Sequence, residues 1–389
     1  MRILHTSDWH IGRTFHGNST MDALAEVLGA LTQQVREHDV DVVIVAGDVF
    51  DSATPAGPAY TLLGDALVGL HETGARVIVT SGNHDSAARL GFQARLLRDG
   101  IHVLTDPLAI ATPVTIDDAS GPVHFFGIPY LEPAIVRQHW PDGDRAGRPL
   151  RSQAQTMAHA MDLVRAGMRA HAGRSVAIAH CFAAGVDATT GLEREVRQGG
   201  LDVVPLEIFD GPDYVALGHI HGRNRLSERV RYAGAPLHYS FSEQDKPRGS
   251  WLVDLDASGL ASVEWLDLPV PRRLVTLTGT LDEILSDEQV AAHADDWVCA
   301  VYTDALPQTD PMRRLRERFA FCAMVQHQPA GAAPERASSY AARLRDAESD
   351  DERVASFLEH VRAGQGPTER ERELIRDVLD DRVRAEALV

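Results

Sequence analysis

The sequence predicts an α/β architecture: two β-sheets packed face to face with helices outside, then a small α+β unit and a C-terminal helical hairpin. Three observations carry this expectation. Residues 1–110 alternate short apolar, β-prone runs with longer helical stretches. Phrases rich in Asp, Asn and His stand at the carboxyl ends of those apolar runs. Beyond residue 110 the pattern turns strand-rich, interrupted by a helical stretch at about 152–171.

In chain order, Ile3-Leu4 belongs to a strand over 2–6, followed by a helix at about 20–38. Val42-Val43-Ile44-Val45 marks a strand over 41–46, with a helix at about 57–72. Val77-Ile78-Val79 marks a strand over 75–80, with a helix at about 86–98. Such alternation argues for a mainly parallel sheet with right-handed crossovers. Further strands are predicted at 122–128, 175–180, 213–218, 229–233, 250–255 and 262–268. Pro269-Val270-Pro271 marks a boundary, so the first domain spans 1–270. A small α+β unit over 271–330 has strands near 274–278 and 297–303 and a helix near 311–320. Residues 331–350, rich in Ala, Ser and charge, read as a linker.

The last segment, 351–389, reads as two helices. Val354, Phe357, Leu358 and Val361 recur at i, i+3, i+4, i+7, and Gly364-Gln365-Gly366-Pro367 stops that stripe. Thr368 with Glu371 makes a capping box for a second helix carrying Leu374, Ile375, Val378, Leu379 and Val383. One small hairpin cannot bury both apolar faces, so they must fold back on the core or dock on a partner.

The chain has 389 residues, long enough for two or three units, and 44% of them are hydrophobic, enough for a sizeable core. No stretch of 18 or more apolar residues occurs and the sequence begins directly with a strand, so neither membrane span nor signal peptide is expected. Cys181, Cys299 and Cys322 are odd in number and lack metal-type spacing, which fits a reducing, cytoplasmic setting. Cys181 adjoins a candidate ligand but reads as a small apolar filler. The net charge of −18 argues against holding DNA by bulk electrostatics. The charge is uneven, however: residues 222–248 carry six basic groups against three acidic ones, and Arg313, Arg314, Arg316 and Arg318 cluster.

The chemistry lies in the phrases Asp8-Trp9-His10, Gly47-Asp48-Val49-Phe50-Asp51, Gly82-Asn83-His84-Asp85, Ala179-His180 and Gly218-His219-Ile220-His221. Strands that end on such phrases deliver polar side chains to one edge, where open α/β sheets place their sites. The gathered groups are two Asp, one Asn and up to five His. One metal takes three or four protein ligands, so the supply suits two. Two divalent cations side by side can make a nucleophile of a bridging water at neutral pH and shield negative charge on a substrate. Asp48, at the strand end of the GDxxD phrase, is the natural bridging carboxylate, with one oxygen for each metal.

The order and spacing of these phrases resemble the calcineurin-like metallophosphoesterases. Within them, the opening His5-Thr6-Ser7-Asp8-Trp9-His10-Ile11-Gly12-Arg13 resembles the bacterial SbcD exonucleases. The resemblance implies that Asp8, His10 and His221 complete one metal site and Asn83, His180 and His219 the other, with Mn²⁺ as the working ion. It implies that His84 protonates or stabilises the leaving oxygen. Such a His needs an orienting carboxylate, for which Asp51 is the candidate and Asp85 the runner-up. Arg13 and His16, on the loop after the first motif, are candidates to touch substrate. Tyr232-Ala233-Gly234-Ala235-Pro236 and Ser240-Phe241-Ser242-Glu243 also resemble the SbcD pattern. With Arg223, Arg225, Arg231 and Lys246 they are expected to line a phosphate-backbone groove.

The activity so implied is ATP-dependent 3′→5′ exonuclease action on double-stranded ends, with endonuclease action on hairpins and single strands, in DNA repair and recombination. The partners are DNA and a separate SbcC-type ATPase, docked through the C-terminal helices, with a homodimer inside a heterotetramer. The chain has no G-x-x-x-x-G-K-[ST] loop of its own. Because this metal centre also serves phosphatases and cyclic-nucleotide phosphodiesterases, a broad phosphodiesterase acting on small substrates is the alternative. A DNA-end scaffold with structural metals is the non-enzymatic one. Ser52 after GDxxD and the long C-terminal extension favour the nuclease.

Overall fold

The computed structural model describes residues 1–140, 143, 147, 149–183, 203–330, 347, 349–362 and 365–386. It divides into two compact units, Met1–Arg273 and Leu274–Val389.

The first unit holds two six-stranded sheets. In one, Arg2–Thr6, Val42–Ala46, Arg76–Thr80 and Ile101–Leu104 run parallel, and Gly249–Asp256 and Gly259–Asp267 extend the Arg2–Thr6 side antiparallel. In the other, Gly121–Gly127, Arg174–His180, Tyr214–Gly218 and Val230–Tyr232 run parallel, with the short strands Val114–Asp118 and Asn224–Arg225 antiparallel at the two edges.

Alternation along each strand sorts the apolar side chains into three layers. Ile3, Val42, Ile44 and Ile78 meet Phe125, Val176, Ile178 and Ala216 between the sheets. Their neighbours Leu4, Val43, Val45 and Val79 turn the other way, onto helices Met21–Glu37 and Gly57–His71. On the far side, Phe126, Ala177, Val215 and Leu217 pack on Met157, Met161 and Val164 of helix Gln153–Ala170. Both faces of every central strand are therefore dry. That is why the strand sequences read as unbroken apolar runs, and each fully buried Val, Leu or Ile contributes about 1.5–3 kcal/mol.

A single helix at 86–98 does not form. Ala87–Leu90 is one turn capped by Ser86, and Ala94–Leu96 is a separate 3₁₀ turn. Gly91 lies between them, and Phe92 and Leu96 are 79% and 83% exposed, so no buried stripe supports continuation. The short strands Ile101–Leu104 and Val114–Asp118, which sequence periodicity did not predict, form sheet edges.

The second unit begins with a three-stranded parallel sheet, Leu274–Gly279, Trp297–Tyr302 and Cys322–His327, in that order. Leu281 and Ile284 of helix Leu281–Ser286 and Leu315 of helix Pro311–Arg318 pack with Leu277, Val298, Ala300 and Phe319. The third strand was not predicted. The predicted linker 331–350 lies outside the described residues except for 347, 349 and 350. Helices Asp350–Val361 and Glu369–Glu386 follow. Arg362 clasps Glu371 through two bonds of 3.0 and 2.8 Å, and Glu371 Oε2 also accepts from the Thr368 backbone N–H at 2.8 Å. Phe357, Val361, Leu374 and Val378 remain 43–66% exposed. Among the described residues no helix is long and apolar enough to cross a membrane, and all three cysteines are free and buried.

Candidate metal centre

The five phrases do converge. Asp8 and His10 follow Arg2–Thr6, Asp48 follows Val42–Ala46, and Asn83 and His84 follow Arg76–Thr80. His180 ends its strand, and His219 and His221 follow Tyr214–Gly218. Two glycines permit the close approach of the sheet ends. A Cβ on Gly218 would collide with the Ala46 carbonyl oxygen, and one on Gly82 with the Asp48 carboxylate.

The backbone at the site is strained. Asp8, His10, Asp48 and His219 have φ of 54°, 46°, 48° and 105°, four of the seven non-glycine residues with positive φ among the described residues. Each such residue costs about 1–3 kcal/mol, and such strain concentrates at functional sites. A ladder between the first two loops holds it: Asp8, His10 and Ile11 N–H donate to the carbonyls of Gly47, Asp48 and Val49 at 3.1, 2.9 and 2.9 Å.

Two groups of donor atoms result. In the first, His10 Nε2 lies 3.1 Å from His221 Nε2, and Asp8 joins them within 4.8 Å. Nitrogens bonded to one ion at about 2.1 Å and near a right angle lie about 3 Å apart, so this pair suits a shared cation. In the second, His180 Nε2 and His219 Nδ1 each stand 3.0 Å from Asn83 Oδ1. Asp48 Oδ2 lies between the groups, 3.7 Å from His10 Nε2 and 3.3 Å from His180 Nε2. The donor set of carboxylate, amide oxygen and imidazole suits a pair of divalent ions.

Asp48 Oδ1 accepts the His84 backbone N–H at 2.9 Å, while Oδ2 faces both groups. Burial alone would raise the Asp48 carboxyl, but the His180 imidazole, then His10 and His84, outweigh it and hold it well below the carboxylate range. His180 is buried, which would lower it, yet Asp48 pulls it up to about 9. Asp48 and His180 thus favour each other's charged form. His180 Nδ1–H donates to the Ala46 carbonyl at 3.0 Å, which turns Nε2 toward Asp48 and Asn83. Among the described residues His10 Nδ1 has no hydrogen-bond partner; it lies 3.5 Å from Asp51 Oδ1.

His84 stands edge-on to His10, ring centres 4.8 Å apart, close enough to be grouped with His10 and Asp48 as a ligand trio. Its Nδ1 faces the backbone carbonyl of Asp51 at 3.0 Å, so the orienting group is a peptide oxygen and not the Asp51 carboxylate. That carboxylate is taken by Arg13 Nη1 at 3.2 Å. Asp85 does not orient His84 either. It accepts the backbone N–H groups of Gly82, Val49 and Phe50 at 2.9–3.0 Å, tying two loops together, and burial followed by the nearby Asp48 charge raises it to about 6.

The expected DNA-contact residues are scattered. Arg13 lies over the Tyr239 ring at the rim, and His16 is exposed beside Phe15 and Phe241. Arg223 is exposed over Trp265, and Arg225 is exposed near Glu228 at 3.9 Å. Lys246 is half-buried. Arg231 is only 7% exposed, its guanidinium over Trp251, because strand alternation turns it inward. Arg248 is buried as well, at 2%. Tyr232 is buried too, its hydroxyl donating to the Cys181 carbonyl at 2.8 Å. The 222–248 stretch is therefore not one basic edge.

Sequence reasoning missed a cavity of about 590 Å³ beside Asn83 and His219, lined by Tyr130, Arg137, Arg151 and Phe182. No spacing signal connects these four residues to the motifs. It also missed the role of Tyr239, whose hydroxyl donates to the Trp9 carbonyl at 2.7 Å and braces the Asp8–His10 loop.

The calcineurin-like phosphoesterase profile matches residues 1–223, and the SbcD C-terminal profile, described as type 5 capsule protein repressor C-terminal domain, matches 270–362. Among solved structures, TT1561 of Thermus thermophilus is 14% identical, covering 68% of this chain and 98% of its own, with a TM-score of 0.40. A dimetal phosphatase from Danio rerio is 13% identical over 69% and 98%, with a TM-score of 0.39. GAP50, the anchor in the inner membrane complex of Plasmodium, is 11% identical over 86% and 99%, with a TM-score of 0.41. The two profile matches together support a nuclease-like phosphoesterase. With more than half its length matched by the first profile, the chain belongs to the calcineurin-like phosphoesterase family and is an SbcD-like, metal-dependent phosphodiesterase within it.

Proposed function

We propose that this chain is the nuclease subunit of an SbcCD-type complex and hydrolyses DNA phosphodiester bonds. The observation that carries the reading is Asp48 Oδ2 standing between two groups of donor atoms with His84 beside them. Asp8, His10, Asp48 and His221 hold one ion, and Asp48, Asn83, His180 and His219 the other, with Mn²⁺ as the working metal. When bound, the ions supply an activated water and neutralise the phosphate oxygens. The residues do the rest. Water, giving one proton to solvent, adds to phosphorus as hydroxide, the P–O bond to the sugar breaks, and His84, as imidazolium with its Nδ1–H donating to the Asp51 carbonyl, gives the departing alkoxide its Nε2 proton.

Arg13, His16, Arg223, Arg225 and Lys246 form the proposed backbone contacts, and Arg231 packs on Trp251. The exposed stripe Phe357, Val361, Leu374 and Val378 is the proposed grip on the SbcC-type ATPase, by the helix-in-groove mode. A homodimer within a heterotetramer is the proposed assembly. ATP-dependent 3′→5′ exonuclease and hairpin endonuclease action belong to that assembly, in a cytoplasmic setting.

The cavity lined by Tyr130, Arg137 and Arg151 favours a second reading, a phosphodiesterase for small nucleotide-like substrates. One experiment separates the two. The purified chain is incubated with Mn²⁺ and a labelled hairpin duplex, and separately with a chromogenic diester, with and without the ATPase. Cleavage of the hairpin, increased by ATPase and ATP, supports the nuclease. Diester cleavage with an untouched hairpin under every condition supports the small-substrate enzyme.

A further inference from the structure

Resting on the metal-centre reading above, we propose that Glu243 is a positioning residue that fixes His221, and that Arg248 in turn fixes Glu243. Glu243 Oε1 lies 3.3 Å from His221 Nδ1, on the opposite side of the ring from the Nε2 that faces His10. Its other oxygen accepts the Tyr239 backbone N–H at 3.2 Å and Arg248 Nη2 at 2.8 Å. Arg248 Nη1 donates to the backbone carbonyl of His221 and to that of Ala235 at 3.2 Å. One guanidinium therefore holds both the backbone of the proposed ligand and the carboxylate that faces its ring.

Burial argues that this is more than a structural clasp. Glu243 and Arg248 are 1% and 2% exposed. An ion pair so far from water is seldom more stable than apolar side chains of the same size, so stability alone gives no reason for it. Facing the ring of His221 does. A carboxylate accepting Nδ1–H keeps the proton on Nδ1, leaves Nε2 as a lone pair and raises its basicity; removing such a partner typically weakens metal binding roughly 10–100-fold. The segment acts on both histidines of the group, since the Tyr239 ring also packs edge-on against His10 and His221 at 5.5 and 5.8 Å.

The test uses the full chain, stripped of metal, carrying Glu243→Gln together with Arg248→Gln so that no unpaired charge is left buried. Mn²⁺ is titrated calorimetrically, thermal unfolding is recorded, and diesterase activity is measured against Mn²⁺ concentration. We expect a folded protein in which one ion binds roughly 10–100-fold more weakly while the other keeps its affinity. The Mn²⁺ midpoint for activity should move up by the same factor. Two ions bound with wild-type affinity overturn the proposal, as does equal weakening of both, which marks a merely structural pair. Should the double variant not fold, Glu243→Asp keeps the charge opposite Arg248 but withdraws the carboxylate from His221. It must then show the same one-ion loss, and wild-type binding there overturns the proposal. A wild-type chain that binds no pair of ions overturns the metal-centre reading itself.

Discussion

Replacing His84 by alanine separates its chemistry from its architecture. In the fold His84 is half-buried, and its side chain contributes the Nδ1 contact with the Asp51 carbonyl. One such bond is worth about 0.5–1.5 kcal/mol, against about 5–15 kcal/mol for a folded domain. The variant should therefore remain folded. Loss of a general acid costs roughly 10²–10⁴ in rate, or about 2.7–5.4 kcal/mol of barrier. The catalytic effect is thus several times the structural one. It should also depend on the leaving group. A sugar alkoxide needs a proton to depart, whereas a nitrophenolate does not. Rates are measured at saturating Mn²⁺ on a DNA oligonucleotide and on a bis-nitrophenyl diester, with metal content by elemental analysis. We expect two ions per chain, a large loss on DNA and a much smaller one on the aryl diester. Equal losses on both substrates would refute the acid role. Loss of an ion would place His84 among the ligands, where its distance to His10 and Asp48 also allows it to stand.

Other outcomes follow from the same geometry. Gly218→Ala should destabilise the first unit by about 1–3 kcal/mol in chemical denaturation, because the added methyl meets the Ala46 carbonyl that holds His180; a change below about 0.5 kcal/mol would show that the sheet ends can separate freely. Neutralising Arg223 and Arg225 should lower the salt slope of DNA binding by roughly two units with aryl diester cleavage spared, and an unchanged slope returns them to a solvated edge. Arg231→Ala should instead lower stability by about 1–3 kcal/mol through lost packing on Trp251, measured by thermal unfolding; a change confined to DNA binding would contradict its inward placement. Truncation after residue 345 should abolish co-purification with the ATPase and ATP stimulation while basal diesterase activity survives. A truncated chain that loses basal activity yet still binds the ATPase would return the hairpin to the core.

How legible was this in the sequence? The central strands were, because burial on both faces writes them as runs such as Val42–Val45, and the turns beyond them carry the donors. The helix predicted at 86–98 failed because spacing alone does not report whether an apolar face is buried; Phe92 and Leu96 are 79% and 83% exposed. Edge strands such as Val114–Asp118 lack the paired burial that makes a run visible. At the site, residue identity was readable but atom assignment was not. Nothing in GDxxD says that Asp48 Oδ1 caps the His84 amide, or that the Asp51 carbonyl and not its carboxylate meets the ring. The basic stretch misled for a related reason. Charge count ignores strand alternation, which buried Arg231, and tertiary pairing, which buried Arg248 against Glu243.

The central claim is that Asp48 stands between two ion sites and would serve both. Electron paramagnetic resonance of the Mn²⁺-loaded chain tests it most directly, since two Mn²⁺ held by a shared carboxylate couple and isolated ions do not. The account predicts a coupled pair in the wild type at two ions per chain. In Asp48→Ala, on a folded protein, it predicts at most a single-ion spectrum together with loss of diesterase activity. Two uncoupled ions in the wild type, or a coupled pair and normal turnover that persist in Asp48→Ala, would contradict it.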